Sequence, residues 1–72
     1  MAEQWDYEVA VLTYWTNTAR WDMVVNGHTT VVPNMPTGLR QLGNEGWELV
    51  SVNLSEGRGF NSYVAVFKRR KP

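Results

Sequence analysis

Apolar and polar positions alternate from Trp5 to Tyr14. Trp5, Tyr7, Val9 and Val11 fall on one side; Asp6, Glu8, Ala10, Leu12 and Tyr14 fall on the other. A period of two residues is the signature of a β-strand. Trp15 to Ala19, rich in Thr and Asn, reads as a loop. Arg20 to Val32 then holds two β-rich runs around Asn26-Gly27. That dipeptide marks a two-residue hairpin, because a type I′ turn needs positive φ at both central residues. The turn sets the register: Val25 opposite His28, Met23 opposite Thr30, Trp21 opposite Val32. Trp21, Met23, Val25 and Val32 then share one face, and Asp22, Val24, Thr29 and Val31 the other.

After Pro33 the period changes. Met35, Leu39 and Leu42 stand four and three residues apart, so they share one face of a helix. Asn34 is the expected N-cap, Pro36 is tolerated in the first turn, and Gly46 supplies the left-handed stop. Trp47 is placed to fold back over the last turn as a core residue, with Trp5 near it. Leu49, Val50, Val52 and Leu54 predict a strand with little water on either face. Ser55 to Gly59 reads as a flexible turn. Phe60 to Arg69 is the last strand, antiparallel to the fourth, with Phe60, Val64 and Val66 opposed to Tyr63, Ala65 and Phe67. The expected fold is α+β: about five antiparallel strands in the order β-β-β-α-β-β, with one short helix on one sheet face. Residues 1–72 form a single small domain, with a frayed N-terminus at 1–4 and a basic C-terminal tail at 68–72. The pattern leaves open whether the Arg20–Val32 hairpin extends the sheet or covers it.

Composition limits what can hold such a chain together. At 72 residues, one core rarely supplies more than about 3–5 kcal/mol. Disulfides and thiolate metal sites are excluded by the absence of cysteine, and a single histidine makes a structural zinc site a poor expectation. The 7 basic and 7 acidic residues cancel overall, yet residues 1–36 carry about −3 and residues 37–72 about +3. This asymmetry favours self-complementary contact. No signal peptide or membrane-length apolar run is visible, so the default expectation is a cytoplasmic protein.

Gly46-Trp47-Glu48-Leu49-Val50-Ser51-Val52, preceded by Leu39 and Leu42 and followed by Val66-Phe67-Lys68-Arg69, resembles the small bacterial domain of unknown function 4177. The opening Trp5-Asp6-Tyr7-Glu8-Val9 resembles that family's aromatic-rich first strand. The Arg20–Val32 hairpin departs from it, being longer than the connector expected before the family's helix. The resemblance implies a helix on a small antiparallel sheet and no known activity.

The candidate chemistry is sparse. His28 follows a hairpin turn with no cysteine, serine or acidic neighbour to make it a catalytic base. Glu45 and Glu48 flank the Gly46-Trp47 corner, where a buried carboxylate pair could do acid–base work; a solvated helix end and a surface glutamate are the plainer expectation. Gly57-Arg58-Gly59 is a hairpin loop, too short for a phosphate loop. The expectation is therefore no enzyme, no cofactor and no metal. Lys68, Arg69, Arg70 and Lys71 could contact phosphates, and Tyr14, Trp15 and Trp21 could stack bases. With zero net charge, this nucleic-acid reading is the alternative.

Both of the last two strands are apolar on two sides: Val50, Val52 and Leu54 against Trp47 and Leu49, then Tyr63, Ala65 and Phe67 against Phe60, Val64 and Val66. One helix can cover only one face, so a second copy or a larger assembly is expected to cover the other. The expected interface comprises Trp15, Trp21, Met23, Val25, Phe60, Val64 and Val66.

Overall fold

The computed structural model describes residues 3–72. It is a five-stranded antiparallel sheet with one helix on one face. Its elements are β1 (Trp5–Trp15), β2 (Arg20–Val25), β3 (His28–Val32), α1 (Met35–Asn44), β4 (Glu48–Gly57) and β5 (Phe60–Arg70), and the strand order is β3-β2-β1-β5-β4. The hairpin extends the sheet: β2 pairs with β1, as Ala10 with Val25 through Trp15 with Arg20. Its internal register is the one that Asn26-Gly27 dictates, with Trp21 opposite Val32 and Val25 opposite His28. Asn26 and Gly27 adopt φ of 52° and 78°, as a type I′ turn requires.

The helix begins and ends where its caps place it. The Asn34 side chain accepts a hydrogen bond from the Thr37 N–H at 2.8 Å. Gly46 takes φ of 91°, and the Trp47 N–H returns to the Leu42 carbonyl at 3.1 Å, closing the last turn. Leu42 is buried, while Met35 and Leu39 pack against the core from the same face.

Register assigns every strand residue a face. The inner face, under α1, carries Ala10 and Leu12 of β1, Met23 of β2, Val32 of β3, and Ala65 and Phe67 of β5. With Leu42 these make the whole buried apolar core. The outer face carries Trp5, Tyr7, Val9, Val11, Thr13 and Trp15 of β1, Arg20, Asp22 and Val24 of β2, and Phe60, Ser62, Val64, Val66, Lys68 and Arg70 of β5. Among the described residues, neither helix nor loop covers it. Tyr7, Val9 and Val31 are 64%, 47% and 62% exposed.

Four expectations are corrected. Residues 68–70 are not a tail: Lys68, Arg69 and Arg70 continue β5 and pair with Tyr7, Asp6 and Trp5, because the first half of β1 needs a neighbour. The frayed start expected at 1–4 lies outside the described residues at Met1 and Ala2. Beyond them, Gln4 accepts from the Lys71 N–H and Glu3 is ion-paired with Arg70, so this end is tied down. Next, β4 does not stop at Leu54. Ser55, Glu56 and Gly57 pair with Ser62, Asn61 and Phe60, leaving a turn of Arg58 and Gly59. Gly57 is needed there, since a Cβ at this position would run into the Phe60 ring. Finally, β4 is not shielded on either face. It is an edge strand in which Val52 alone is half-buried, with Leu49, Val50 and Leu54 44–51% exposed.

Gly38 is where α1 meets the sheet. A Cβ there would lie 3.0 Å from Leu12 Cδ2 and 3.1 Å from Met23 Sδ, whereas a Cβ at Gly43 would meet nothing within 4 Å. Leu12 is fully buried and has no room to yield. Gly43→Ala is therefore expected to stabilise by about 0.5–1 kcal/mol through helix propensity. Gly38→Ala is expected to destabilise by about 1–3 kcal/mol through overpacking. Thermal melts of the two variants at matched concentration should move in opposite directions.

Candidate functional site

A cleft of about 410 Å³ opens between the last turns of α1 and the β2–β3 hairpin. Met23 and Val25 form its floor, Gln41, Leu42 and Glu45 form the helix wall, and Trp47 with Arg69 closes one end. Glu8, Asn26, His28 and Thr30 line the sheet side. Arg69 holds this end together. Its guanidinium lies 4.1 Å from the Trp47 ring centroid, and Nη1 donates to the Glu45 carbonyl at 3.0 Å. One side chain thus clamps the helix C-terminus, where a cation is favoured. Glu8 and Glu45 form no ion pair among the described residues.

The cleft brings His28 to the same opening as Glu8 and Glu45. General acid–base catalysis needs such groups aligned on a nucleophile and shielded from water. Here His28 and Glu45 are exposed, and each keeps its solvation. Glu48 is not part of this site. It pairs with Lys68 on the outer side of the sheet, so Glu45 and Glu48 are separated by the sheet itself. Among the described residues, no three His, Cys, Asp or Glu side chains are grouped to hold a metal ion.

The structure divides the seven residues expected at an interface. Trp21, Met23 and Val25 belong to the inner face: Met23 is 5% exposed in the core, and Trp21 and Val25 pack against it. Trp15, Phe60, Val64 and Val66 belong to the outer face. A residue consumed by the chain's own helix cannot serve a partner, so Met23 is withdrawn from the interface. Sequence reasoning assigned the hairpin's faces correctly but had no means of knowing which one α1 would cover. It also passed over Tyr7, Val9, Val11 and Val24 as interface residues, although the alternation of β1 had already placed three of them together.

No family model, no curated protein and no solved structure matches the chain.

The basic residues are divided too. Lys68 and Arg70 lie on the outer face and Arg69 on the inner one. Each is engaged: Lys68 Nζ lies 4.4 Å from the Trp5 ring centroid, Arg70 pairs with Glu3, and Lys71 Nζ is 3.7 Å from Asp6 Oδ1. The aromatics part in the same way. On the inner face the Trp21 ring meets Tyr14 and Tyr63 at centroid distances of 5.1 and 5.8 Å, whereas Trp15 meets Phe60 on the outer face at 5.4 Å. Trp5 is likewise outside, away from the Trp47 it was expected to join.

The outer face has ordered ends and an apolar middle. At one end Asp22, 9% exposed, accepts from Trp15 Nε1 at 3.1 Å and from Arg20 Nε and Nη2 at 3.1 and 3.2 Å. At the other end stand Lys68, Arg70 and Glu48. Between them lie Val9, Val11, Val24, Val64 and Val66, and the nearby hydroxyls of Thr13 and Ser62 satisfy each other at 3.0 Å.

Arg69→Ala should lower stability by about 1–2 kcal/mol, through loss of the ring contact and the carbonyl bond. Arg69→Lys should recover less than half, because an ammonium cannot stack and donate in the same plane. Chemical denaturation midpoints at constant slope check both values.

Proposed function

We propose that the chain is a non-catalytic assembly domain that associates with a second copy of itself through the outer face of its sheet. One observation carries this reading: Val9, Val11, Val24, Val64 and Val66 stand together in the middle of that face with no element of the chain over them, while polar groups lie at its two ends and along the edge strands β3 and β4. That arrangement, an apolar centre inside a polar rim, is the anatomy of a protein interface. A half-exposed antiparallel sheet that remains in water alternates with polar residues on its wet side. Here the centre of the wet side carries five adjoining valines on β1, β2 and β5.

Surface area supports the same reading. A folded monomer of 8.3 kDa typically exposes about 4,600 Å², and this chain exposes 5094 Å². Two copies related by a two-fold axis would stack outer face on outer face as a β-sandwich, with the sheets about 10 Å apart. Burying the valines would add the second core that a chain of this length lacks by itself.

Light scattering at about 10–100 µM, where a standard-sized interface is populated, is expected to give a multiple of the monomer mass. Val9→Glu places a charge at the centre of the face on a side chain that is already 47% exposed. It should halve the native mass while leaving the far-ultraviolet circular dichroism spectrum unchanged. A parent that runs at 8.3 kDa over this range, or a variant of unaltered mass, overturns the proposal.

A further inference from the structure

We infer that a second copy of the chain also pairs along the free edge of β4, antiparallel, about a two-fold axis passing beside Asn53. This contact goes beyond the outer-face association and does not depend on it.

The argument starts from the two sheet edges. β3 is five residues long, and Pro33, which lacks an N–H, follows it at once. Such an edge is blunt. β4 is ten residues long, carries neither proline nor lysine, and pairs with β5 on one side only. Its one irregularity is the bulge between Leu49 and Ser51, which leaves Ser51–Gly57 in unbroken register with β5. A regular run of this length offers a row of unpaired N–H and C=O groups, the template for another strand.

The side chains of β4 select the occupant. With Asn53 opposite its own copy, Ser51 faces Ser55 and Val52 faces Leu54, each contact occurring twice. Polar residues then meet on the outer side and apolar ones on the inner. Counting across the bulge, Glu48 of each copy arrives opposite Gly57 of the other, next to Arg58. Among the described residues, neither Glu48 nor Arg58 has an ion-pair partner of its own. Moving the axis to Val52 would instead set Glu48 opposite Ser55, away from Arg58, so charge favours the Asn53 register.

The contact also covers what α1 leaves open. The helix runs obliquely from the end of β3 to the start of β4, so the inner face around Leu54 stays uncovered and Leu54 is 51% exposed. In the proposed register the partner's Val52 would lie against it, next to Tyr63. The two sheets would merge with both helices on one side and both outer faces on the other. Added to the outer-face contact, this gives a closed tetramer with mutually perpendicular two-fold axes.

Native mass tests the two contacts separately. If both exist, the parent is a tetramer, Val9→Glu and Leu54→Lys each run as dimers, and the combined variant is a monomer. Arg58→Glu, in an exposed turn, should raise the dissociation constant of the edge contact about ten-fold. Glu48→Arg added to Arg58→Glu should restore it. A parent dimer that Val9→Glu dissociates and Leu54→Lys does not would overturn the edge contact and keep the outer-face one. The reverse pattern would keep the edge contact alone. Failure of the charge swap to restore assembly would overturn the proposed register.

Discussion

A single ten-residue helix against a five-stranded sheet is the constraint from which the rest follows. Such a helix is about 15 Å long and about 10 Å across, whereas strands of the length of β1 and β5 run to roughly 35 Å. It can cover part of one face. Its placement decides which side chains become core, which strand remains wet and where apolar surface is left over. Gly38 lets the helix approach closely enough for Leu12 and Met23 to pack directly beneath it, and the small buried core is built around that approach.

The outer face is organised by the same limitation. With nothing of its own to cover it, the chain sets Asp22, Arg20 and the Trp15 indole N–H at one end and Lys68, Arg70 and Glu48 at the other. Removing Asp22 alone would leave the Trp15 N–H without its acceptor, the costlier kind of loss in a hydrogen-bonded group. The valines between these ends are only partly buried in the isolated chain. Burial against a second sheet would give each of them the stabilisation of a core residue, on the order of 1–2 kcal/mol.

The inner-face cleft differs in character. It gathers Glu8, Glu45, His28 and Arg69 around an apolar floor, yet its one cation already holds the helix end against Trp47. Its shape follows from the oblique path of α1: the last turn stands away from the β2–β3 hairpin because the chain must reach β4 on the opposite edge of the sheet.

The sequence by itself determined the local elements. Asn26-Gly27 fixed the hairpin register because only positive φ closes a two-residue turn. Asn34 and Gly46 bounded the helix because its unpaired backbone groups need caps. The alternation in β1 sorted its side chains onto two faces. What it could not determine was which face α1 would cover, because Trp21-Met23-Val25 and Val9-Val11 are equally apolar stripes and periodicity carries no sign. Nor could it show that β4 lies at an edge, or that Lys68–Arg70 continue β5. Those outcomes depend on which strands become neighbours, and strand order is settled by long-range pairing that no local pattern records.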